Sequence, residues 1–223
     1  MFKKGFTLAE VLITLAILGV IAALTLPALQ ANYLRQAMEK QTLKFYSQMY
    51  NALAILKAEN ESDNIASNGG ITDKFIREHF NIVEKYDRNG NGFSNCLPTQ
   101  YSAIDNKSAT KTAADAFMDV DTVYVLADGT VFGITGNDPA KITFDVNGKR
   151  GPNQFGYDLW TVFAYHDGSI DDLDLTPKVR LDSSSDTINN TVQTNFTACK
   201  NGTSNYGAGC FGHFMRNKFK FDY

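Results

Sequence analysis

A run of apolar residues near the amino terminus constrains this chain more than any other feature. Residues 6–29 carry a single charge, on Glu10, and follow a short stretch that contains Lys3 and Lys4. As an α-helix the run would extend about 36 Å, whereas the hydrocarbon core of a bilayer is about 30 Å thick. The sequence therefore predicts a membrane-spanning helix.

Two ordinary explanations of this run are a secretory signal peptide and a plain membrane anchor. The apolar core of a signal peptide is usually about 7–15 residues long, which is shorter than the run at 6–29. A carboxylate inside lipid costs about 2.5–3.5 kcal/mol near the centre of the bilayer and less near its edge. Neither explanation gives Glu10 a partner, so both leave this residue unexplained.

The residues at the start of the run resemble the signal of a known family. Residues 3–10, Lys-Lys-Gly-Phe-Thr-Leu-Ala-Glu, are similar to the amino-terminal signal of type IV prepilins and type II secretion pseudopilins. In that family a prepilin peptidase cuts after the glycine and N-methylates the new first residue. The resemblance therefore implies that residues 1–5 are a leader peptide, that the cut follows Gly5, and that Phe6 is methylated. It covers residues 1 to about 58.

The resemblance also implies roles in assembly for Glu10 and Pro27. Pro27 matches a helix-kinking proline that many members of the family carry. Glu10 would lie one helical turn from the new ammonium group of Phe6, and a buried charge is tolerated only when it is paired. Pairing between subunits would fix their axial register, and head-to-tail contacts that do not close generate filaments.

As a function, the resemblance implies a structural subunit of a type IV pilus-like filament or a type II secretion pseudopilus, and not an enzyme. The expected partners are copies of the same chain, the prepilin peptidase, the membrane, which the chain crosses once, and the pilus or secretion assembly machinery. The expected location is the bacterial inner membrane with the amino terminus inside, and the assembled filament would lie in the periplasm or at the cell surface.

Two other functions stay open at this stage. One is a minor pilin at the filament tip, whose region 182–210 would bind a ligand for adhesion or DNA uptake. The other is a membrane-anchored binding module or enzyme. With 21 Lys and Arg against 24 Asp and Glu, the chain lacks the basic excess of a general nucleic-acid binder, so no nucleic acid is required. The three histidines are scattered and no common catalytic motif occurs, so we predict no catalytic or metal-ligating residues.

Helical spacing continues beyond the apolar run. Apolar residues recur at intervals of three, four or seven, namely Leu34, Met38, Phe45, Met49, Ala52 and Leu56. This stripe predicts one helix over about 6–58, bent at Pro27, with a transmembrane half at 6–29 and an amphipathic half at 30–58. We expect the stripe to pack on a globular domain, and a coiled-coil seam is the alternative.

Residues 59–223 are expected to form that globular domain. A short helix should follow Thr72, and strands are predicted at 122–127, 130–134, 141–146, 158–165 and 169–173. The first two strands flank Asp128-Gly129, which is typical of a hairpin turn. The polar segments 86–115 and 182–209 are expected to be irregular. A long helix followed by an antiparallel sheet gives an α+β fold, an order that also resembles pilins.

Three cysteines occur, at positions 96, 199 and 210. In an oxidising compartment a Cys199–Cys210 disulfide would close a loop of about twelve residues, worth about 3 kcal/mol. The same pairing is similar to the carboxy-terminal disulfide loop of many type IV pilins. The alternatives are three free thiols, or a bond from Cys96 to either partner.

The segment 145–158 is the most distinctive part of the globular region. Oxygen ligands from Asp145, Asn147 and Asp158 on a tight loop could hold Ca²⁺, and some type II secretion pseudopilins bind calcium in a loop between strands. The other interpretation is a turn-rich connector that uses Asn-Gly and Gly-Pro for backbone reasons. No other cofactor is predicted.

Overall fold

The computed structural model of the chain falls into two compact units, residues 1–37 and residues 38–223. It describes Gly5 and residues 7–59, 64–66, 70–88, 92–105, 107–204 and 207–223. The expected leader residues 1–4 and Phe6 lie outside the described residues.

One helix, α1, comprises Leu8–Glu59, and Pro27 lies inside it without ending it. In the first unit its large apolar side chains are exposed, from 43% at Val11 to 80% at Leu8. Among the described residues α1 is the one helix long and apolar enough to cross a membrane, and none of its most apolar stretch is buried. These properties match the predicted membrane-spanning helix in length and composition.

In the second unit the same helix is part of a core. The stripe residues from Met38 to Leu56 are buried, and the ring of Phe45 stacks on that of Phe144 at 4.3 Å between centroids. The expected packing of the stripe on a globular domain is therefore confirmed. Leu34, which falls in the first unit, is 53% exposed and does not belong to this core.

The second unit is built on a six-stranded antiparallel sheet with the strands β1 Ile82–Asp87, β4 Thr122–Leu126, β5 Val131–Thr135, β6 Ala140–Asp145, β7 Leu159–Ala164 and β8 Ile170–Asp171. Their order in the sheet is β1-β4-β5-β6-β7-β8. A two-stranded sheet contains β2 Gln100–Ser102 and β3 Thr110–Thr112. The shorter helices are α2 Asp73–His79, α3 Gly92–Cys96, α4 Ala113–Ala116, α5 Pro177–Asp182, α6 Ser185–Asn201 and α7 Cys210–Arg216. The α+β class predicted from the sequence is confirmed.

The predicted local signals explain much of this unit. Thr72 caps α2 by accepting a hydrogen bond from the Phe75 amide. The hairpin around Asp128-Gly129 joins β4 to β5, and Gly129 has a φ of 91°, which favours glycine. Every residue of β6 and β7 is buried, and each of these strands has a neighbouring strand on both sides.

Two expectations about irregular segments are wrong. Segment 182–209 contains the seventeen-residue helix α6, whose inward side consists of Val192, Phe196 and Cys199. Only these three residues of α6 are buried. The rest of the helix is mostly polar, so the sequence shows no clear repeat of apolar residues at helical spacing. Segment 86–115 contains α3, β2, β3 and most of α4, which are too short to give a periodic signal.

Strand β1 was also missed by the sequence analysis. Val83 lies in this strand and is 57% exposed. The strand pairs with β4 alone, at the edge of the sheet. An edge strand with one neighbour does not need the alternation of buried and exposed residues on which strand prediction depends.

Candidate functional site

The amino-terminal turn of α1 holds the residues that the sequence singled out for processing and assembly. The Glu10 carboxylate accepts hydrogen bonds from the Thr7 amide at 2.8 Å and from the Thr7 hydroxyl at 2.9 Å. The Thr7 hydroxyl in turn accepts one from the Glu10 amide at 3.3 Å. This reciprocal pair is a capping box, which satisfies amides that a helix start leaves without partners.

Gly5 precedes this turn and is exposed. A Cβ atom built on it would meet no other atom within 4 Å, so the backbone here is open to approach from solvent. Glu10 is exposed as well, and within the described residues its carboxylate is bound by Thr7, which carries no charge. Gly5 before the first turn of α1 and Glu10 within it are therefore both exposed, while Phe6 lies outside the described residues.

The disulfide between Cys199 and Cys210 is present, as predicted. It joins the last turn of α6 to the first residue of α7, so it connects two helices rather than closing an irregular loop. Cys96 is free and buried, and burial raises the pKa of its thiol to about 11. A buried thiol that stays protonated is a poor nucleophile, which argues against a reactive role for Cys96.

Beneath α7 lies an acidic pair that the sequence analysis did not identify. Asp172 is buried and accepts hydrogen bonds from the amides of Gly209 at 2.8 Å and Gly212 at 2.7 Å. Burial raises the pKa of Asp172 to about 6, although these amide bonds oppose the rise. Its neighbour Asp171 binds Arg216 through both carboxylate oxygens, each at 3.0 Å. The pair therefore fixes α7 to the end of β8.

A second buried carboxylate, Glu39, ties the end of the sequence to α1. It accepts hydrogen bonds from the Phe221 amide at 2.9 Å and from the Lys220 ammonium at 2.7 Å. Glu39 is not one of the apolar residues of the stripe, yet the structure shows it buried beside them. No local signal could reveal this, because the partners lie about 180 positions away.

The loop 145–158 brings its two acidic residues into one buried environment. The Asp145 carboxylate accepts from the Tyr101 hydroxyl at 2.6 Å and from the Asn147 and Gly148 amides. The Asp158 carboxylate accepts from the amides of residues 153 and 154. Burial raises the pKa of Asp158 to about 6, and burial together with the charge of Asp158 raises the pKa of Asp145.

Two amide oxygens in this loop have no hydrogen-bond partner although they are buried, Oδ1 of Asn147 and Oδ1 of Asn153. The same residues donate their backbone amides to the two carboxylates. Carboxylate and amide oxygens are the ligands that Ca²⁺ prefers, so the donor set fits this ion. Among the described residues, no cluster of three or more His, Cys, Asp or Glu suited to a metal occurs.

A surface cavity of about 630 Å³ opens beside α3. Its described lining combines the apolar side chains of Phe93, Leu97 and Pro98 with the cations Arg88 and Lys149, and it contains no carboxylate and no histidine. General acid–base chemistry needs a group that exchanges protons near neutral pH. This lining offers none, so the cavity gives no support to an enzyme.

Comparisons with known proteins agree with the amino-terminal signal. Residues 1–26 match the family described as the prokaryotic N-terminal methylation motif. The type IV major pilin protein PilE of Neisseria gonorrhoeae is 32% identical over 83 residues, which cover 34% of this chain and 49% of that protein. The chain thus spans about half the length of the curated relative it matches. No solved structure matches. The resemblance to type IV pilins is confirmed.

Proposed function

We propose that this chain is a structural subunit of a type IV pilus-like filament or of a type II secretion pseudopilus, and that it is not an enzyme. The observation that carries the proposal is the amino-terminal turn. A methylation motif covers residues 1–26, an exposed Gly5 stands before a long helix with exposed apolar side chains, and the Glu10 carboxylate lies in the first turn of that helix. An assembled bundle of such helices would remove that apolar surface from water and lipid.

Processing is the first step of the proposed mechanism. A prepilin peptidase at the inner membrane removes residues 1–5 and methylates Phe6, since Gly5 offers its backbone without a side chain in the way. The mass of the amino-terminal peptide from membrane-extracted protein tests this step. We expect a start at methylated Phe6, and Gly5→Leu should retain the leader. A chain that still starts at Met1, or one cut near residue 23, would contradict the proposal.

Assembly is the second step, and it depends on Glu10. Its carboxylate has only the neutral Thr7 as partner within the described residues, and the new ammonium of Phe6 supplies the missing cation. Binding the ammonium of a neighbouring subunit fixes the axial register, and Pro27 lets the helix bend into the bundle. The capping box has a further consequence: Thr7 holds the carboxylate at the helix start before any neighbour arrives.

The amount of sheared filament, compared with the amount of subunit left in the membrane, tests this step. Glu10→Gln keeps the shape and a hydrogen-bond acceptor for Thr7 while it removes the charge. We expect normal processing and a loss of filament. Thr7→Val is the matched control, because it removes the capping hydroxyl and keeps the Glu10 charge, and it should reduce assembly less. Wild-type filament levels from a processed Glu10→Gln protein would refute the charge pairing.

We also propose that the loop 145–158 binds Ca²⁺ through oxygens of Asp145, Asp158, Asn147 and Asn153. The support is the pair of buried acids whose negative charges repel each other, together with two amide oxygens that have no partner. Bound Ca²⁺ would neutralise the acids and raise the melting temperature, whereas Mg²⁺ should have little effect because it demands a tighter octahedral geometry. An unchanged melting temperature in millimolar Ca²⁺ would leave the loop as a hydrogen-bonded connector.

A further inference from the structure

The side chains that line the cavity beside α3 determine which kind of chemical group it can bind. Its walls are apolar, and the Arg88 guanidinium lies 5.6 Å from the centre of the Phe93 ring. Arg88 donates hydrogen bonds to the backbone carbonyls of Val120 and Phe117, which are uncharged. Lys149, on the same lining, is exposed. The cavity therefore suits a group that is apolar at its tip and negative at its edge.

Helix α5 carries such a group on the surface of the same unit. Leu181 is 84% exposed, the most exposed large apolar side chain among the described residues. It stands next to Asp182, whose side chain is 59% exposed, and near Asp186, which is exposed too. Asp182 has an ion pair with Lys178, but an exposed pair of this kind contributes little and can be exchanged. A single exposed leucine is ordinary, but this one has a complementary cavity on the same chain.

The two surfaces are built from different segments of the second unit. The cavity is lined in part by Arg88, by α3 and the residues that follow it, and by Lys149 and Asn153 of the loop between β6 and β7. Helix α5 lies beside the connection from β7 to β8, where Arg180 reaches Asp167 at 3.4 Å and lies 5.8 Å from the Tyr165 ring. Because Leu181 is exposed, it does not fill the cavity of its own copy, but a second copy can place its Leu181 there.

We propose that Leu181 and Asp182 of one copy insert into the cavity of the next copy, with Leu181 against Phe93, Leu97 and Pro98 and Asp182 near Arg88 and Lys149. A projection at one place on the surface and a matching cavity at another make a head-to-tail contact, and such contacts repeat into a filament unless they close into a ring. The contact would add a second link between subunits, in the globular unit. The inference rests on the proposed filament and specifies how its globular units meet.

Crosslinking between two differently tagged full-length copies in the same membranes tests this contact. One copy carries Leu181→Cys and the other carries Thr99→Cys, which lines the cavity. The matched control replaces Thr99→Cys by Lys107→Cys, an exposed position outside the lining. Cys96 is buried and the other two native cysteines are bonded, so they do not compete. We expect crosslinks between 181 and 99 in clear excess over 181 and 107, and equal or absent crosslinks overturn the contact.

A charge exchange tests the proposed ionic part. Asp182→Lys or Lys149→Glu alone should lower the 181–99 crosslink by about two- to fivefold, the range expected for an exposed ion pair, and the double variant should restore it. Lys107→Glu should change nothing. Failure of the double variant to restore the crosslink overturns the role of Asp182. Filaments without the 181–99 crosslink leave the proposed function standing and refute the contact, whereas the crosslink without filaments supports the contact and refutes the filament.

Discussion

The two units of this chain use the same kinds of apolar side chain in opposite ways. In the first unit leucine, isoleucine and valine side chains face outward, with Leu18 60% exposed. In the second unit the aromatic and aliphatic side chains lie inside, with Phe45 3% and Trp160 1% exposed. The second unit is therefore stabilised by its own core, whereas the first needs lipid or another helix to cover its apolar surface.

The largest difference between the two units should appear when one apolar side chain is shortened in each of them. Phe45→Ala removes a ring that lies 4.3 Å from that of Phe144 and 5.3 Å from that of Phe132, and it should lower the free energy of unfolding by about 3–5 kcal/mol. Leu18→Ala should leave this free energy within about 0.5 kcal/mol of wild type. Denaturation in detergent, followed by the fluorescence of Trp160, measures both. Similar losses would show that the units are not separate in stability.

The disulfide allows the second unit to be destabilised separately, because both of its cysteines lie in that unit. Reduction, or the pair Cys199→Ser and Cys210→Ser, should lower the free energy of unfolding of that unit by about 3 kcal/mol. Residues 8–37 should keep their helical circular dichroism in detergent. Peptide mapping without reductant should recover the linked peptides, with Cys96 alkylated only after denaturation. Alkylation of Cys96 in the folded protein would contradict its buried position.

Glu39 tests where the second unit begins, since it lies just past residue 37. Glu39→Ala removes the acceptor of the buried Phe221 amide and should cost about 1–3 kcal/mol. Glu59→Ala changes an exposed acid at the last residue of α1; it is the matched control and should cost about 0.5 kcal/mol or less. Equal effects would mean that the carboxy-terminal segment is not held by this contact.

The smallest expected effect is a dependence on pH that arises in the second unit. The pKa of Asp172 is raised to about 6 in the folded chain, so the folded state binds its proton more tightly than the unfolded state. Its contribution is fully present below about pH 4 and is lost as the pH rises through about 6. Between pH 5 and pH 7.5 the free energy of unfolding should fall by about 1–2 kcal/mol from this group. Asp172→Asn should flatten that slope, and an unchanged slope would exclude Asp172 as its source.

Much of the fold could be predicted because its signals are local. The apolar run, the stripe from Met38 to Leu56, the hairpin at Asp128-Gly129 and the cap at Thr72 each depend on neighbours within one or two turns. Helix α6 could not be predicted, because a helix that buries three of its seventeen residues has a polar sequence. The short elements within 86–115 could not be predicted for a different reason, since three to five residues are too few to show a periodic pattern.

In the candidate site, too, the residues with local sequence signals could be predicted and the others could not. The roles of Gly5 and Glu10 are proposed, and the disulfide was predicted, from residues close in sequence or from the resemblance that those residues carry. The acids that hold α7 and the cavity beside α3 were missed, because their partners come from distant segments. Asp172 meets the amides of Gly209 and Gly212 some 40 positions away. The cavity combines residues between 88 and 153.

The bond between Glu39 and the Phe221 amide has a consequence for the order of events during biogenesis. A ribosome makes residue 39 long before residue 221, and the two lie 182 positions apart. The carboxylate on α1 therefore stays without this partner until residue 221 has been synthesised. Contacts between such distant positions slow folding, because a long loop must close before they form. The second unit should thus fold late and as a whole, and its part of α1 should stay open to chaperones or proteases until the segment around residue 221 is available.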